Sequence, residues 1–470
     1  MLLTIDIGTS SFKSAIWNYD GKRLSFASVP LNIDSNSGKY ETDPSQWLSA
    51  FEHCCKKLEN LDQVDAIVIS GNGPTLVPVP ENQSSAPKAR LWLDRRAEKY
   101  QNEVSNVMGG FVDACFFLPK ILYIKNDEKE LYDNTKYFLG CPEYLAYALT
   151  GESRNVFPSD GFDRWFWNDS VLEKLKLNAS KFPAFIRPGD YFGMITVKTA
   201  EKLGFKKNIP VISGGPDFYA SILGSGVTEP RQVCDRTGSS EGINMCTRKQ
   251  IDTAQNIHVV HLMSYAHPVK PFWNLSGVIN TTGKAIDWAC DFLGINSFDD
   301  FIALADKSSA GSGGLVFIPN LAGERVSKGN SGGSHSGSGA LWSGISLSTG
   351  RSEAAKSVLE GIGFAIKEVL YVMEEAGERA EQLRVTGGLA GCSQLNQIKA
   401  DITGLEVLEG GHKECELLGL AIIGSCAMGK YSSYTEASKV LRGAEKLYKP
   451  NPENTELYNE LFNTYKKKKN

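Results

Sequence analysis

The chain lacks any apolar run of the ~18 residues that a bilayer-spanning helix needs. Leu417 to Met428 is apolar but short, and reads as a buried helix. No signal peptide is visible, and cleavage of one would destroy the strand expected over residues 2–7. Basic excess is also missing. The net charge of −4 leaves no footprint for nucleic acid, and the Lys466–Lys469 run reads as a solvated tail. Histidines number six, too few and too dispersed for a metal site; His258 and His261 read as ordinary strand or loop residues. The ten cysteines include an adjacent Cys54–Cys55 pair but no Cys-x-x-Cys. That scatter argues against a disulfide or zinc framework and points to reduced thiols in the cytoplasm.

What is present fits a globular enzyme. Hydrophobic residues make up 41% and charged residues 22% of 470. A chain of this length exceeds one ordinary core, so two domains of about 200 residues are expected. The most informative stretch comes first. A strand over Leu2–Ile7 carries Asp6, and a Gly8-Thr9-Ser10-Ser11 turn leads into a second strand at Ala15–Tyr19. Amides and hydroxyls in such a turn can hold phosphate oxygens, and a carboxylate at the strand end suits magnesium. A plain hairpin with a polar tip is the other reading. Val233 to Cys246 repeats the scheme around Gly238-Ser239-Ser240. Two such hairpins far apart suggest two related domains facing one cleft.

Strands alternate with helices along the rest, which indicates α/β domains with mixed sheets. A helix is expected from Asp43 to Leu61, a buried strand over Val64–Ser70, and mostly helix from 117 to 150. Ile209–Ser213 reads as a strand that runs into Gly214-Gly215-Pro216-Asp217 and a small-residue helix. The boundary is placed after 226, giving domains 1–226 and 227–470. Ser308–Gly314 and Gly329–Gly339 read as mobile surface loops. Asp217 is a candidate general base, since a helix N-terminus favours an ionised carboxylate that could accept a hydroxyl proton during phosphoryl transfer. A simple helix cap is the alternative. Gly387-Gly388, between a strand and a helix, could receive adenosine against bare backbone.

These residues carry a resemblance. The chain is similar to the FGGY-family carbohydrate kinases, within the actin-like and sugar-kinase ATPase superfamily, and most similar to their xylulokinase-like branch. The ordered motifs are Asp6–Ser10, Trp92–Arg95, Gly214–Asp217, Thr282-Gly283, Gly323-Glu324-Arg325, Leu359–Ala365, Gly387-Gly388, Ala400–Gly404 and Glu416–Ala421. The resemblance implies an α/β fold of two ribonuclease-H-like domains, with mixed five-stranded sheets and helices, flanking an ATP/sugar cleft. The first domain would bind sugar and the second nucleotide. Asp6 would hold Mg²⁺ through water. Gly8, Thr9, Ser10 and Lys13 would lie near the β- and γ-phosphates, and Gly238 and Ser239 would form the second phosphate loop. Gly387, Gly388 and the turn to Ser393 would flank adenosine, and Asp217 would be the base. The partners implied are ATP and a small sugar or polyol, with no nucleic acid or membrane; a homodimer is compatible with such a family.

The sequence departs from the family where sugar is read. The segment after the strand at 64–70 is Asn72-Gly73-Pro74-Thr75, without the usual charged or imidazole hydrogen-bonders. Losing a directed hydrogen bond can change hydroxyl discrimination by orders of magnitude. Asp217 is followed by Phe218 where the family has Gln, Tyr123 stands where Trp is frequent, and Ser239 replaces Thr. Asn72, Gly73, Trp92, Asp94 and Arg95 are expected to border the acceptor, although Asp94 and Arg95 could instead be a structural pair. Asp160 and Asp163 fall in a region that helps shape the family's cleft. The leading expectation is an ATP-dependent kinase of a ketopentose such as xylulose or ribulose. The alternatives are a glycerol, tetritol or other polyol kinase, a non-catalytic ATP/sugar-binding protein, or an actin-like nucleotide switch.

Overall fold

The computed structural model describes residues 1–36, 38–81, 86–253, 262–321 and 339–469. The chain divides into two compact units, Met1–Gly224 with Glu416–Leu441, and Ser225–Cys415 with Arg442–Asn470. The expected continuous domains of 1–226 and 227–470 differ from these units in two respects: the boundary falls two residues earlier, after Gly224, and Glu416–Leu441 returns to the first. The reason is a helix apolar on every side. In Cys415–Ala427, Leu417, Leu420, Ala421, Ile422 and Ile423 are wholly buried, as an all-round apolar helix must be. Its Gly419 permits the approach, because a Cβ there would stand 1.9 Å from the Ala220 carbonyl oxygen.

The first unit is built on β1 (Leu2–Ile7), β2 (Ser11–Trp17), β3 (Arg23–Pro30), β4 (Ala66–Gly71), β5 (Tyr191–Met194) and β6 (Pro210–Pro216). Their order is β5-β6-β4-β1-β2-β3. β1 pairs antiparallel with β2 and parallel with β4, and β4 pairs parallel with β6. β1 and β4 are buried throughout, as strands covered on both faces are. Trp47, Phe51 and Cys54 of helix α1 (Ser45–Lys57) join their core, as do Leu145 and Leu149 of a helix at Cys141–Thr150.

The second unit repeats the plan with β7 (Gln232–Thr237), β8 (Glu241–Thr247), β9 (Met263–Ala266), β10 (Trp273–Ile279), β11 (Gln382–Gly387), β12 (Glu406–Gly410) and β13 (Glu445–Tyr448). The order is β9-β10-β8-β7-β11-β12-β13, with β7 antiparallel to β8 and parallel to β11. The long helix Arg351–Glu375 supplies Val358, Ile362, Ile366 and Met373 to the core.

Each sheet holds the expected five-strand core, β3-β2-β1-β4-β6 and β10-β8-β7-β11-β12. The full sheets have six and seven strands, not five. The additions β5, β9 and β13 are four residues each, too short to show a period in sequence, and they pair edges that would otherwise be open. Two further expectations change. Thr135–Leu139 is a strand within the span read as helical, paired with Val77–Pro80; its Thr-Lys-Tyr-Phe-Leu composition favours a pleated surface. Ser308–Gly314 is an anchored turn. Buried Ser312 donates to Glu360 Oε2 at 2.7 Å, and Gly311 N donates to Glu360 Oε1 at 2.8 Å. The Lys466–Lys469 run ends the helix Pro452–Lys469, where Lys469 pairs with Glu368. His258, His261, Gly323-Glu324-Arg325 and nearly all of the Gly329–Gly339 stretch lie outside the described residues.

Candidate active site

The first hairpin closes through Gly8 N, which donates to the Ser11 carbonyl at 2.9 Å. Gly8, Thr9 and Ser10 form its tip. Trp92 Nε1 donates to Thr9 Oγ1 at 3.0 Å. A residue expected at the acceptor thus touches one expected at phosphate, within one unit. Lys13 lies directly across from Asp6 in the β1–β2 register, and Asp6 is buried.

Asp217 is the first residue of the helix Asp217–Ser225, at the end of β6. Its Oδ1 accepts from Phe218 N at 2.7 Å. The strand register puts Asp6 and Asp217 in one neighbourhood, since Ile7 and Pro216, each next in chain to one of them, both pair with Gly71 of β4. The Cys141 pKa is raised well above its ordinary value by burial first, then by the charges of Glu143, Asp6 and Asp217. Cys141 Sγ donates to the Asn72 carbonyl at 3.1 Å. Glu143 is pushed up to about 7 by burial; its Oε1 accepts from Val156 N at 3.2 Å. The end of β1, the end of β4 and the start of the Asp217 helix therefore meet around Cys141, a residue that sequence reading passed over.

The acceptor residues behave differently from expectation. Asn72 Nδ2 donates to the Ile7 carbonyl at 2.9 Å, and Thr75 Oγ1 donates to Asn72 Oδ1 at 2.5 Å. Both ends of the amide hold the chain in place. Asp94 is buried, and its partner is Arg96, whose Nε donates to both carboxylate oxygens at 3.1 and 3.0 Å. Arg96 Nη2 donates at 2.7 Å, and the backbone N–H groups of Arg96 and Tyr40 each donate at 3.1 Å. These donors outweigh burial and hold Asp94 below the usual carboxylate range. Arg95 donates instead to Asp113 at 2.6 Å. The expected Asp94–Arg95 pair is thus replaced by two separate ion pairs. Tyr123 lies under the Arg90 and Arg96 guanidiniums, 5.5 and 5.6 Å from its centroid. Asp160 pairs with Arg187 at 3.0 Å on the surface, and Asp163 Oδ2 accepts from Gly161 N at 3.3 Å. Gly73 is exposed with open space where a Cβ would stand.

Lys120 is a further residue that sequence reading missed. It is fully buried, and its Nζ donates to the carbonyls of Pro74 at 2.8 Å and Leu91 at 2.7 Å. Burial lowers it to about 8. It ties the 72–75 turn to the strand that leads into Trp92. A lone charge inside the apolar Phe117–Ile124 stretch was the available signal.

In the second unit, the Gly238 carbonyl accepts from Gly283 N at 3.0 Å and from Thr282 Oγ1 at 3.2 Å, and the Ser239 carbonyl accepts from Thr282 N at 3.1 Å. The hairpin tip is therefore docked on the start of helix Gly283–Leu293. Behind the tip, Lys399 Nζ donates to Asp235 Oδ2 at 2.7 Å, Glu241 Oε1 at 2.7 Å and Thr237 Oγ1 at 3.0 Å. All four are buried. Gly387 has φ +90°, and a Cβ there would stand 2.1 Å from the Thr237 carbonyl oxygen. Gly388 N donates to that oxygen at 2.9 Å, while the space around its own Cα is open. Ser393 Oγ accepts from Lys446 Nζ at 2.8 Å and from Tyr448 OH at 3.1 Å. Gly387→Ala should lower stability by about 1–3 kcal/mol, which a thermal melt reads; Gly388→Ala should not.

Among the described residues, no group of three or more His, Cys, Asp or Glu could hold a metal ion. Magnesium in phosphoryl transfer is ordinarily held by one or two carboxylates together with phosphate oxygens and water. Buried Asp6, with Asp217 in the same neighbourhood, supplies hard oxygen donors of that kind.

Two copies of one five-strand core, each with a hydroxyl-bearing hairpin tip, and a carboxylate at a helix start match the plan of a sugar phosphotransferase, the class that the family match shows. The chain belongs to the FGGY family of carbohydrate kinases: the family's N-terminal domain matches residues 1–224 and its C-terminal domain residues 236–428. It is 26% identical to the xylulose kinase of Staphylococcus epidermidis, over 99% of this chain and 95% of that one. Two solved structures share the fold at 21% identity and a TM-score of 0.85. They are a gluconate kinase from Lactobacillus acidophilus, covering 99% of this chain and 96% of its own, and a ligand-bound xylulose kinase from the same organism, covering 99% and 97%. No helix among the described residues is long and apolar enough to cross a membrane.

Proposed function

We infer that this carbohydrate kinase transfers the γ-phosphate of ATP to a primary hydroxyl of a small ketose, with a ketopentose such as xylulose as the leading acceptor. The observation that carries the reading is the strand register that brings Asp6 and Asp217 together, their chain neighbours Ile7 and Pro216 both pairing with Gly71, in the unit whose hairpin tip presents Thr9 and Ser10. Asp217 takes the proton of the attacking hydroxyl. Thr9, Ser10 and Lys13 steady the β- and γ-phosphates. Gly238 and Ser239 form the second phosphate loop, and Gly387, Gly388 and Ser393 border adenosine. Phosphoryl transfer needs positioning and charge neutralisation more than covalent help, and this division supplies both. Asp6 would hold magnesium through water, and the ion would neutralise charge on the β- and γ-oxygens. Trp92 borders the acceptor and, through Thr9, fixes the phosphate tip. Asn72, Asp94 and Arg95 act from behind, as supports for the segments they bond. The ten cysteines, none of them in a disulfide, support a cytoplasmic enzyme.

The test is ADP release with Mg-ATP across ketopentoses, ketohexoses, pentitols, tetritols, glycerol and gluconate. Turnover of a ketose supports the reading; turnover of glycerol or gluconate alone overturns it. Asp6→Asn should raise the Mg²⁺ concentration for half-maximal turnover about tenfold. An unchanged Mg²⁺ titration would remove Asp6 from the metal role.

A further inference from the structure

Two arms of bonded residues end on the first hairpin tip, and both start from one buried ammonium. The first begins at Pro74, whose carbonyl accepts from Lys120 Nζ at 2.8 Å. Next in chain is Thr75, whose Oγ1 donates to Asn72 Oδ1 at 2.5 Å. The backbone N–H and the Nδ2 of Asn72 both donate to the Ile7 carbonyl, at 2.8 and 2.9 Å. Ile7 is the last residue of β1, between Asp6 and Gly8. The second arm begins at Leu91, whose carbonyl accepts from Lys120 Nζ at 2.7 Å. Its neighbour Trp92 donates from Nε1 to Thr9 Oγ1 at 3.0 Å. The arms thus grip Ile7 and Thr9, on either side of Gly8.

Leu76 and Arg90 form a β-bridge, with bonds of 2.9 and 2.8 Å, that sets the two segments side by side. Pro74 and Leu91 lie just beyond it, where the segments leave the bridge for the tip. An ammonium has three donors and no acceptor; a third carbonyl, that of Arg90, stands 3.5 Å from Nζ. Lys120 itself is fully buried on the first turn of the helix Phe117–Asp127, among buried Leu118, Ile121 and Leu122. A supporting side chain locked by packing and hydrogen bonds can hold a site to about 0.5 Å.

Resting on the kinase reading, in which this tip holds the β- and γ-phosphates of ATP, we propose that Lys120 is a positioning residue for the phosphates, acting through Asn72–Ile7 and Trp92–Thr9. The Trp92 bond occupies one lone pair of the Thr9 hydroxyl and directs its hydrogen to a phosphate oxygen. Loss of the ammonium releases both arms, and a misplacement of about 1 Å in a reacting geometry costs about 10²-fold in rate.

The experiment compares wild type, Lys120→Met, Lys120→Arg and Trp92→Phe. It measures the binding of two probes, the magnesium complex of the β,γ-imido analogue of ATP, and AMP, which lacks both outer phosphates. Lys120→Met should weaken the imido analogue severalfold or more, leave AMP unchanged, and lower kcat by about 10²-fold. Lys120→Arg keeps a cation and N–H donors, so it should keep the fold and show the same selective loss in smaller measure. Trp92→Phe keeps a ring, removes the N–H and cuts one arm with Lys120 in place. It should weaken the imido analogue selectively too, and add little once Lys120 is gone. Equal loss of both probes in the Lys120 variants, or loss of neither, overturns the proposal and leaves the kinase intact. A Trp92→Phe variant that binds the imido analogue as wild type does overturns it whether or not the Lys120 variants fold. A wild type that transfers phosphate to no sugar and binds both probes equally overturns the kinase reading together with the inference.

Discussion

Asp217→Asn should lower kcat by about 10²–10⁴-fold, the usual contribution of a positioned general base, while Mg-ATP still binds. Asparagine is nearly isosteric. Its side-chain oxygen can keep the bond from Phe218 N, made in the native protein at 2.7 Å, so the helix start is preserved. What disappears is the ability to take a proton and the negative charge that drives the transfer. The competing role, a helix cap and nothing more, makes a different forecast. Asparagine caps as well as aspartate, so a cap alone leaves both turnover and the melt of Asp217→Asn near their native values, while Asp217→Ala loses on the order of 1 kcal/mol of stability. Measured together, kcat and the thermal melt separate the two. A large kcat loss in Asp217→Asn with an unchanged melt establishes the base; full turnover in Asp217→Asn with a lowered melt in Asp217→Ala establishes the cap.

The hairpins and the Asp217 turn were legible because their chemistry is local. A strand, a Gly and hydroxyl turn and a second strand lie within about fifteen residues, and the repeat at Val233–Cys246 exposed the two-unit plan. Residues whose meaning depends on a distant partner were not legible. Asn72 looks like a sugar contact until its amide is seen holding Ile7, 65 residues away. Asp94 has two arginines beside it, and composition cannot choose between them; Arg96 folds back to it while Arg95 faces Asp113. Cys141 carries no motif, yet it marks where Asp6 and Asp217 meet. The short edge strands were invisible for another reason. Four residues give no periodicity, and the pairing that makes them strands comes from the sheet they complete.

Lys399→Met should be the most destabilising single substitution proposed here. Lys399 lies 164 residues from Asp235 and 158 from Glu241, so only the fold reveals the triad. Two carboxylates face one ammonium. Burial and the adjacent Glu241 raise Asp235 well above the carboxylate range, whereas Lys399 lowers Glu241 and is itself raised by both acids. Both carboxyls thus compete for one buried ammonium. Among the described ion pairs Lys399 alone faces Asp235 and Glu241, so no second cation replaces the ammonium. Removing one member of a buried pair costs about 3–5 kcal/mol, equivalent to a fall in Tm of about 6–20 °C for a unit of this size. The loss should depend on pH. Without Lys399 both folded-state carboxyl pKa values lie above their unfolded values, so the variant keeps its stability below the unfolded carboxyl pKa, near about 4. It loses that stability as pH rises through the raised folded values. The melt deficit should therefore be small near pH 4 and full at pH 8. Adding Asp235→Asn and Glu241→Gln to Lys399→Met removes the buried charges and should restore much of the Tm. Since Thr237 and Glu241 flank the Gly238–Ser239 tip, the single variant should also raise KM for ATP more than it lowers kcat. A deficit independent of pH, or a triple variant no more stable than the single one, would show that Lys399 acts through packing alone.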